Sequence, residues 1–313
     1  MILVGGENLI DFIQEPQAVG HPTYRAIPGG SPFNVAKAMA RQDQPVGYLT
    51  PFSTDTLGDL LADDLSAELQ LEVLSPRSDL PTTLAVVSLR DGQARYRFYR
   101  ERTAERDVTA ASLRTAMAPG AEAFFVGSLA LTAAPDADIW ADLATDLAAD
   151  GLFTAIDPNI RPALIADRAA FTARLDRLCA TVDLIKLSDE DLAWLAPGEP
   201  PEAAARGLSA RCGADLLVLT RGGEGALALG PAAGEISVPA HPVRDMRDTV
   251  GAGDTFMGTL LAQLRRTGRL RRGALRDLDA DALRALLSLA ARAAALNCER
   301  VGCDPPRSAA LEV

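Results

Sequence analysis

The stretch DTVGAGDTF, residues 248–256, places three small positions, Gly251, Ala252 and Gly253, directly before an acid, Asp254. The residues that follow, TFMGTLLAQL, read as an apolar helix. Small residues at a helix entrance leave its first backbone N–H groups uncovered, and a large anion can approach them closely. An acid at the same point repels that anion unless it has a task of its own. One reading is structural: GAGD starts a helix, and the helix dipole stabilises Asp254. The other is phosphoryl transfer, in which the amides at 251–254 stabilise charge on the moving group and Asp254 accepts the proton of the attacking hydroxyl. A carboxyl with an ordinary pKa of about 3.9 is too weak to ionise an alcohol beforehand. It receives the proton late, as the oxygen bonds to phosphorus, so position matters more than basicity.

Other chemistries find less support. The chain has no GxxxxGK[ST] loop, and the 251–256 window puts Phe256 where a dinucleotide fingerprint needs its last glycine. The two histidines, His21 and His241, stand far apart and outside any HExxH or HxH spacing, which argues against zinc. No GxSxG nucleophile elbow occurs.

The elements that must hold the cradle come from a chain of 313 residues, enough for a large core. A net charge of −11 argues against nucleic acid or an anionic membrane as partner. Only Lys37 and Lys186 are lysines, so arginine carries nearly all the positive charge. No apolar run approaches the length of a membrane span. The opening MILVGGENLI lacks the basic n-region of a signal peptide. The four cysteines, Cys179, Cys212, Cys298 and Cys303, form no CxxC pair, and a reducing cytoplasm is the expectation.

Apolar runs at 2–6, 123–128, 152–157, 182–188 and 215–220 read as strands. Helical patterns at 31–42, with Ser31 as N-cap, and at 137–150, 169–180 and 189–196 alternate with them. Two long helices, roughly 253–268 and 278–297, follow. Such alternation predicts a mostly parallel sheet covered on both faces. Two β runs within 82–100, joined by Asp91-Gly92, predict a hairpin. Residues 12–26 lack helical periodicity and are expected to add strands, giving a small β-sheet lid from about 12–26 and 84–104 on a single domain, 1–313. An edge hairpin of the main sheet is the alternative.

DTVGAGDTF resembles the C-terminal signature of the ribokinase-like (pfkB) carbohydrate kinases, and GGSPFNVAKAMA (29–40) resembles their N-terminal signature. GENLIDFI near the start, DPNIRP (157–162), KLSDEDL (186–192), LTRGGEGAL (219–227) and NCERVGCDPP (297–306) extend the match over most of the chain. The resemblance implies a Rossmann-like three-layer α/β sandwich with a β lid, ATP as donor and Mg²⁺ as helper. By position, Asp254 would be the base, and Gly251, Ala252 and Gly253 the anion hole. Asp11, Gly29, Gly30 and Asn34 would meet sugar hydroxyls. Taken without the resemblance, Gly29-Gly30 reads as a plain turn and Asn34 as helix-surface polarity.

KLSDEDL matches an Asn-x-x-Glu element that supports Mg²⁺ through water and phosphate, with Ser188 in place of Asn and Asp191 in place of Glu. A helix cap formed by Ser188 and a first-turn acid is the competing reading. Lys186 would reach phosphate. Thr220, Gly222 and Gly225 would approach the nucleotide, with Asn297 near adenine. Asp248, with carbonyls near Val250, resembles a monovalent-cation site such as one for K⁺.

Within the family, FYRERTAERD (98–107), GGSPFN, DPNIRP and the tail look most like bacterial fructokinases, although Ala104-Glu105-Arg106 replaces the usual Ala-Asp-Arg. The competitor is 2-keto-3-deoxygluconate kinase, whose substrate carboxylate would want an arginine fork from Arg100 and Arg161. A ribokinase or nucleoside kinase of the same fold, and a catalytically silent sugar- or nucleotide-binding regulator, stay open. Lids of this family sometimes pair between subunits, which extends the expectation to a homodimer through the lid.

Overall fold

In the computed structural model, residues 1–15, 21–90 and 93–312 are described. The expected Asp91-Gly92 turn and part of the 12–26 segment lie outside them. A nine-stranded sheet runs in the order β13 (Gly234–Val238), β12 (Ala226–Gly230), β11 (Leu216–Thr220), β10 (Leu184–Ser188), β9 (Phe153–Asp157), β8 (Ala123–Gly127), β1 (Ile2–Gly5), β4 (Val46–Tyr48), β5 (Leu71–Val73). All neighbours pair parallel except β11 with β12 and β12 with β13. The sheet is thus mostly parallel, as expected.

Alternation along each strand feeds two separate cores. Ile2, Val4, Phe125 and Val218 pack on one face with α1 (Ser31–Arg41), α2 (Thr56–Ser66), α8 (Ala252–Arg266) and α9 (Ala280–Cys298). Leu3, Phe124, Val126, Leu217 and Leu219 pack on the other face. There they meet α3 (Ala110–Ala116), α4 (Asp136–Ala149), α5 (Arg168–Cys179), α6 (Asp189–Leu195) and α7 (Pro201–Arg211). Strands buried on both faces read as continuous apolar runs, which is why these segments stand out in the sequence.

A second sheet of four strands has the order β3 (Tyr24–Gly29), β2 (Leu9–Gln14), β6 (Leu84–Arg90), β7 (Gln93–Tyr99). It grows directly from β1 into β2 and returns from β3 into α1. It is therefore a sheet of its own and not an edge of the large one. Strand order reverses at β1, which has β4 on one side and β8 on the other. Crevices beyond the carboxyl ends of strands at such a point are where open α/β sheets place ligands. Among the described residues no helix is long and apolar enough to cross a membrane.

Candidate active site

At that crevice the heads of α1 and α8 meet. Gly251 takes the N-cap position of α8 at φ 75°, a left-handed conformation that suits glycine, and no side chain caps the turn. A Cβ there would lie 2.2 Å from Cys303 Sγ, so glycine is required for packing as well. Ala252 N–H is bonded to Thr249 O at 3.2 Å. Among the described residues the amides of Gly251, Gly253 and Asp254 find no acceptor and are left to an incoming anion, so Ala252 alone drops out of the expected cradle.

Asp254 is 8% exposed. Its Oδ1 accepts the Ser31 hydroxyl at 2.7 Å and its Oδ2 accepts Asn34 Nδ2 at 2.8 Å. Burial raises its pKa above the usual carboxylate range, against those hydrogen bonds and the nearby charges of Lys186 and Arg161. The Ser31 hydroxyl does not cap α1 as the sequence suggests. Gly30, at φ 111°, is the N-cap, and the first amide of the helix, Ser31 N, donates to Glu7 Oε1 at 3.0 Å. Glu7 Oε2 accepts Leu129 N at 3.0 Å, so one buried carboxyl ties the start of α1 to the segment after β8. Burial pushes Glu7 up to about 7, against these backbone bonds. Sequence reasoning singled out neither Ser31 as a partner of the acid nor Glu7; both depend on contacts between distant segments.

Gly29, Gly30 and Asp11 also converge here. A Cβ on Gly29 would stand 2.7 Å from Asp11 Oδ2, and one on Gly30 would stand 2.7 Å from Glu7 O. Asp11 on β2 is pushed up to about 6 by burial, with Arg161 opposing and Asp254 adding to the rise. Arg161 is exposed and bonds to Asn159 Oδ1 at 2.7 Å, close enough to the two acids to act on both. Tyr96 and Phe98, stacked on β7 with centroids 6.3 Å apart, project from the small sheet. The Tyr96 phenol is within electrostatic reach of Asp11 and Arg161.

Further along the sheet, strand ends supply a second group. Lys186 Nζ lies 2.6 Å from Asp157 Oδ2, and a Cβ on Gly253 would lie 3.3 Å from that ammonium. Ser188 and Thr220 are register partners across β10 and β11. Ser188 and Asp191 form a full capping box on α6. Asp191 Oδ2 accepts Ser188 N and Oγ, both at 2.8 Å, while Oδ1 accepts Ile160 N at 2.6 Å. Thr220 Oγ1 bonds Leu187 O at 3.3 Å. Gly222 is open to solvent at φ 48°, whereas Gly225 is a packing glycine, its added Cβ falling 2.1 Å from Val238 O. Asp248 Oδ1 accepts Val250 N at 3.0 Å and Oδ2 accepts Gly302 N at 2.9 Å.

Two expected ligand residues are engaged elsewhere. Arg100 Nε bonds Glu105 Oε1 at 2.6 Å, Nη2 bonds Asp136 Oδ2 at 3.0 Å and Nη1 reaches Thr132 Oγ1 at 3.3 Å. It neutralises two buried acids at the base of the small sheet and leaves no free fork for a substrate carboxylate. Asn297 is fully buried. Its Nδ2 donates to Val250 O at 2.8 Å and its Oδ1 accepts Asp304 N at 2.9 Å, pinning the loop before α8.

Among the described residues no group of three or more His, Cys, Asp or Glu side chains forms a metal nest.

The model of the pfkB family of carbohydrate kinases matches residues 1–310. A fructokinase from Rhizobium leguminosarum bv. trifolii is 36% identical over 288 residues, covering 91% of this chain and 86% of the relative. A fructokinase from Klebsiella pneumoniae is 32% identical over 267 residues, covering 84% of each. The crystal structure of a fructokinase with bound ATP from Xylella fastidiosa superposes with a TM-score of 0.88 at 27% identity, covering 99% of this chain and 96% of that one.

Proposed function

The chain belongs to the pfkB family of carbohydrate kinases, and from that premise we propose that it transfers the γ-phosphoryl group of ATP to the primary hydroxyl of fructose, giving fructose 6-phosphate. The observation that carries this reading is the fixed acid at an uncapped helix entrance: Asp254, held by Ser31 and Asn34, one residue after the open Gly253 amide. The sugar hydroxyl oxygen bonds to phosphorus, the bond from phosphorus to the bridging oxygen breaks to release ADP, and the hydroxyl proton passes to Asp254. The Gly253 and Asp254 amides stabilise charge on the moving group, and Lys186 adds a fixed cation beside them.

On the acceptor side, Asp11 and Asn34 offer hydroxyl partners and Gly29-Gly30 allow close backbone approach. The relatives at 36% and 32% identity are both fructokinases, which favours fructose. Two carboxylates, Asp11 and Asp254, face Arg161, which among the described residues has no acid in contact, whereas Arg100 is occupied by Glu105 and Asp136. That balance favours a neutral sugar over a keto-acid. The small sheet would act as a lid, with Tyr96 and Phe98 covering the sugar and excluding water.

Mg²⁺ fits as an ion carried by the nucleotide phosphates. Asp191 Oδ2 is saturated by its cap bonds, and Oδ1 keeps one lone pair, enough for a water of the ion's shell. Bound there, the ion would neutralise phosphate charge. A K⁺ near Asp248 would use the lone pairs left by Val250 and Gly302, and omission of K⁺ tests it. A cytoplasmic location and a dimer through the small sheet, whose exposed aromatics include Tyr24, Tyr96 and Tyr99, complete the reading; sedimentation tests the dimer.

The deciding experiment is an ADP-release assay with fructose, 2-keto-3-deoxygluconate, ribose and adenosine side by side. The expected result is the highest kcat/KM with fructose. Preference for the keto-acid or for adenosine, or no turnover with any acceptor, would overturn it.

A further inference from the structure

Asp157 ends β9 with its carboxylate fully buried, and Lys186, on the neighbouring parallel strand β10, is 4% exposed. They meet through Lys186 Nζ and Asp157 Oδ2, while Asp157 Oδ1 is buried with no hydrogen-bond partner among the described residues. One oxygen therefore holds the ammonium, and two of its three N–H donors stay available. The ammonium looks onto Gly253, a residue with an open amide. It also lies in the field of Asp191 and Asp254. Asp191 is engaged in its cap, so Asp254 is the carboxylate that a released Lys186 would approach.

We propose that Asp157 is a positioning residue that tethers Lys186 beside Gly253 and keeps its ammonium from closing on Asp254. A lysine paired with Asp254 would hold the carboxylate against accepting a proton, and would leave the phosphoryl end of the cradle without its fixed cation. One buried carboxylate thus keeps the cation and the base of a single transfer step apart. Burial pushes Asp157 up to about 6 against the pull of Lys186, so the tether is charged at neutral pH. Burial works against the Lys186 charge as well, but Asp157 prevails and holds the ammonium above its ordinary pKa. The groups facing Asp254 are Lys186 and Arg161, the acids Asp11 and Asp157, the Cys303 thiol, and the hydrogen-bond donors Ser31 and Asn34.

The inference rests on the phosphotransfer reading, and its test separates the two. Wild type, Asp157→Asn, Lys186→Met and the double variant are compared by thermal melting and by steady-state kinetics across pH. Asp157→Asn is expected to lower kcat at least about tenfold with KM for fructose within about twofold. The acid limb of its kcat–pH profile should move to lower pH, because a cation drawn to Asp254 favours the carboxylate. The double variant should lose no more than Lys186→Met alone, since without the lysine there is nothing to tether. An unmoved acid limb, or losses that multiply in the double variant, would overturn the proposal. Should Asp157→Asn fail to fold, the comparison of the double variant with Lys186→Met decides alone. Inactive wild type would remove both readings; active wild type with multiplying losses removes only this one.

Discussion

Ser31 and Asp254, 223 positions apart in the chain, meet through a 2.7 Å hydrogen bond in which the serine hydroxyl donates to Oδ1. With Asn34 on Oδ2, it fixes both oxygens of a buried carboxylate before any substrate arrives. The bond favours the ionised form, so it also opposes the rise in pKa that burial causes.

Ser31→Ala should therefore reduce kcat by roughly ten- to a hundredfold, the scale of one hydrogen bond to a charged group. The acid limb of the kcat–pH profile should move to higher pH, because a contact that favours the carboxylate is gone. Kinetics between pH 5 and 8 check both effects; an unchanged profile would show that Ser31 does not act on the base.

Asp254→Asn should lower kcat by about two to four orders of magnitude while leaving fructose binding near its wild-type value. Its melting temperature should equal or exceed that of the wild type, because a charge that burial disfavours has been removed. Rate and melting measured on one preparation test the pair of outcomes.

Gly251→Ala combines a left-handed backbone with a collision against Cys303. Gly120 has a similar φ of +78° and nothing within 4 Å of an added Cβ, so Gly120→Ala isolates the backbone cost, about 1–2 kcal/mol. Gly251→Ala should lose clearly more stability than this control in urea melts, and should raise KM for ATP as the cradle shifts.

Arg100→Met should destabilise the fold by about 3–5 kcal/mol, because Glu105 stays buried without its cation and Asp136 keeps only Arg106. The ratio of kcat/KM for fructose to that for 2-keto-3-deoxygluconate should not move. A selective change in that ratio would mean that Arg100 reaches the substrate.

On the acceptor role proposed for Asp11, binding of the sugar should depend on pH. With its pKa raised to about 6, Asp11 takes up a proton as pH falls through that value and loses acceptor capacity, so KM for fructose should climb on the acid side. Asp11→Asn should flatten this dependence. The stability linkage runs the other way. A carboxyl raised in the folded state stabilises the fold below its ordinary range near pH 4, and that contribution is lost as pH rises through 6.

The parallel sheet was legible because strands covered on both faces leave unbroken apolar runs such as AFFVG and LLVLT. Short outer strands such as Val46–Tyr48 and Leu71–Val73 gave no such run, and they join the sheet through their neighbours. The entrance of α8 was legible from its small residues. Ser31 misled because a serine before a helical pattern is a capping signal, yet Gly30 takes the cap through a backbone conformation that sequence does not display. The partners of Arg100 were illegible for a related reason. Its motif is local, while one of the acids that occupies it, Asp136, begins a helix in another segment.

Gly258 lies where α8 crosses α1, and a Cβ there would stand 2.6 Å from Ala38 Cβ and 2.9 Å from Val35 O. The two helices thus touch almost backbone to backbone, one carrying Ser31 and Asn34 and the other Asp254. They form a stiff wedge whose two working ends cannot drift apart independently. A change made in the small sheet would leave this helix pair, and with it the Ser31–Asp254–Asn34 contacts, in place.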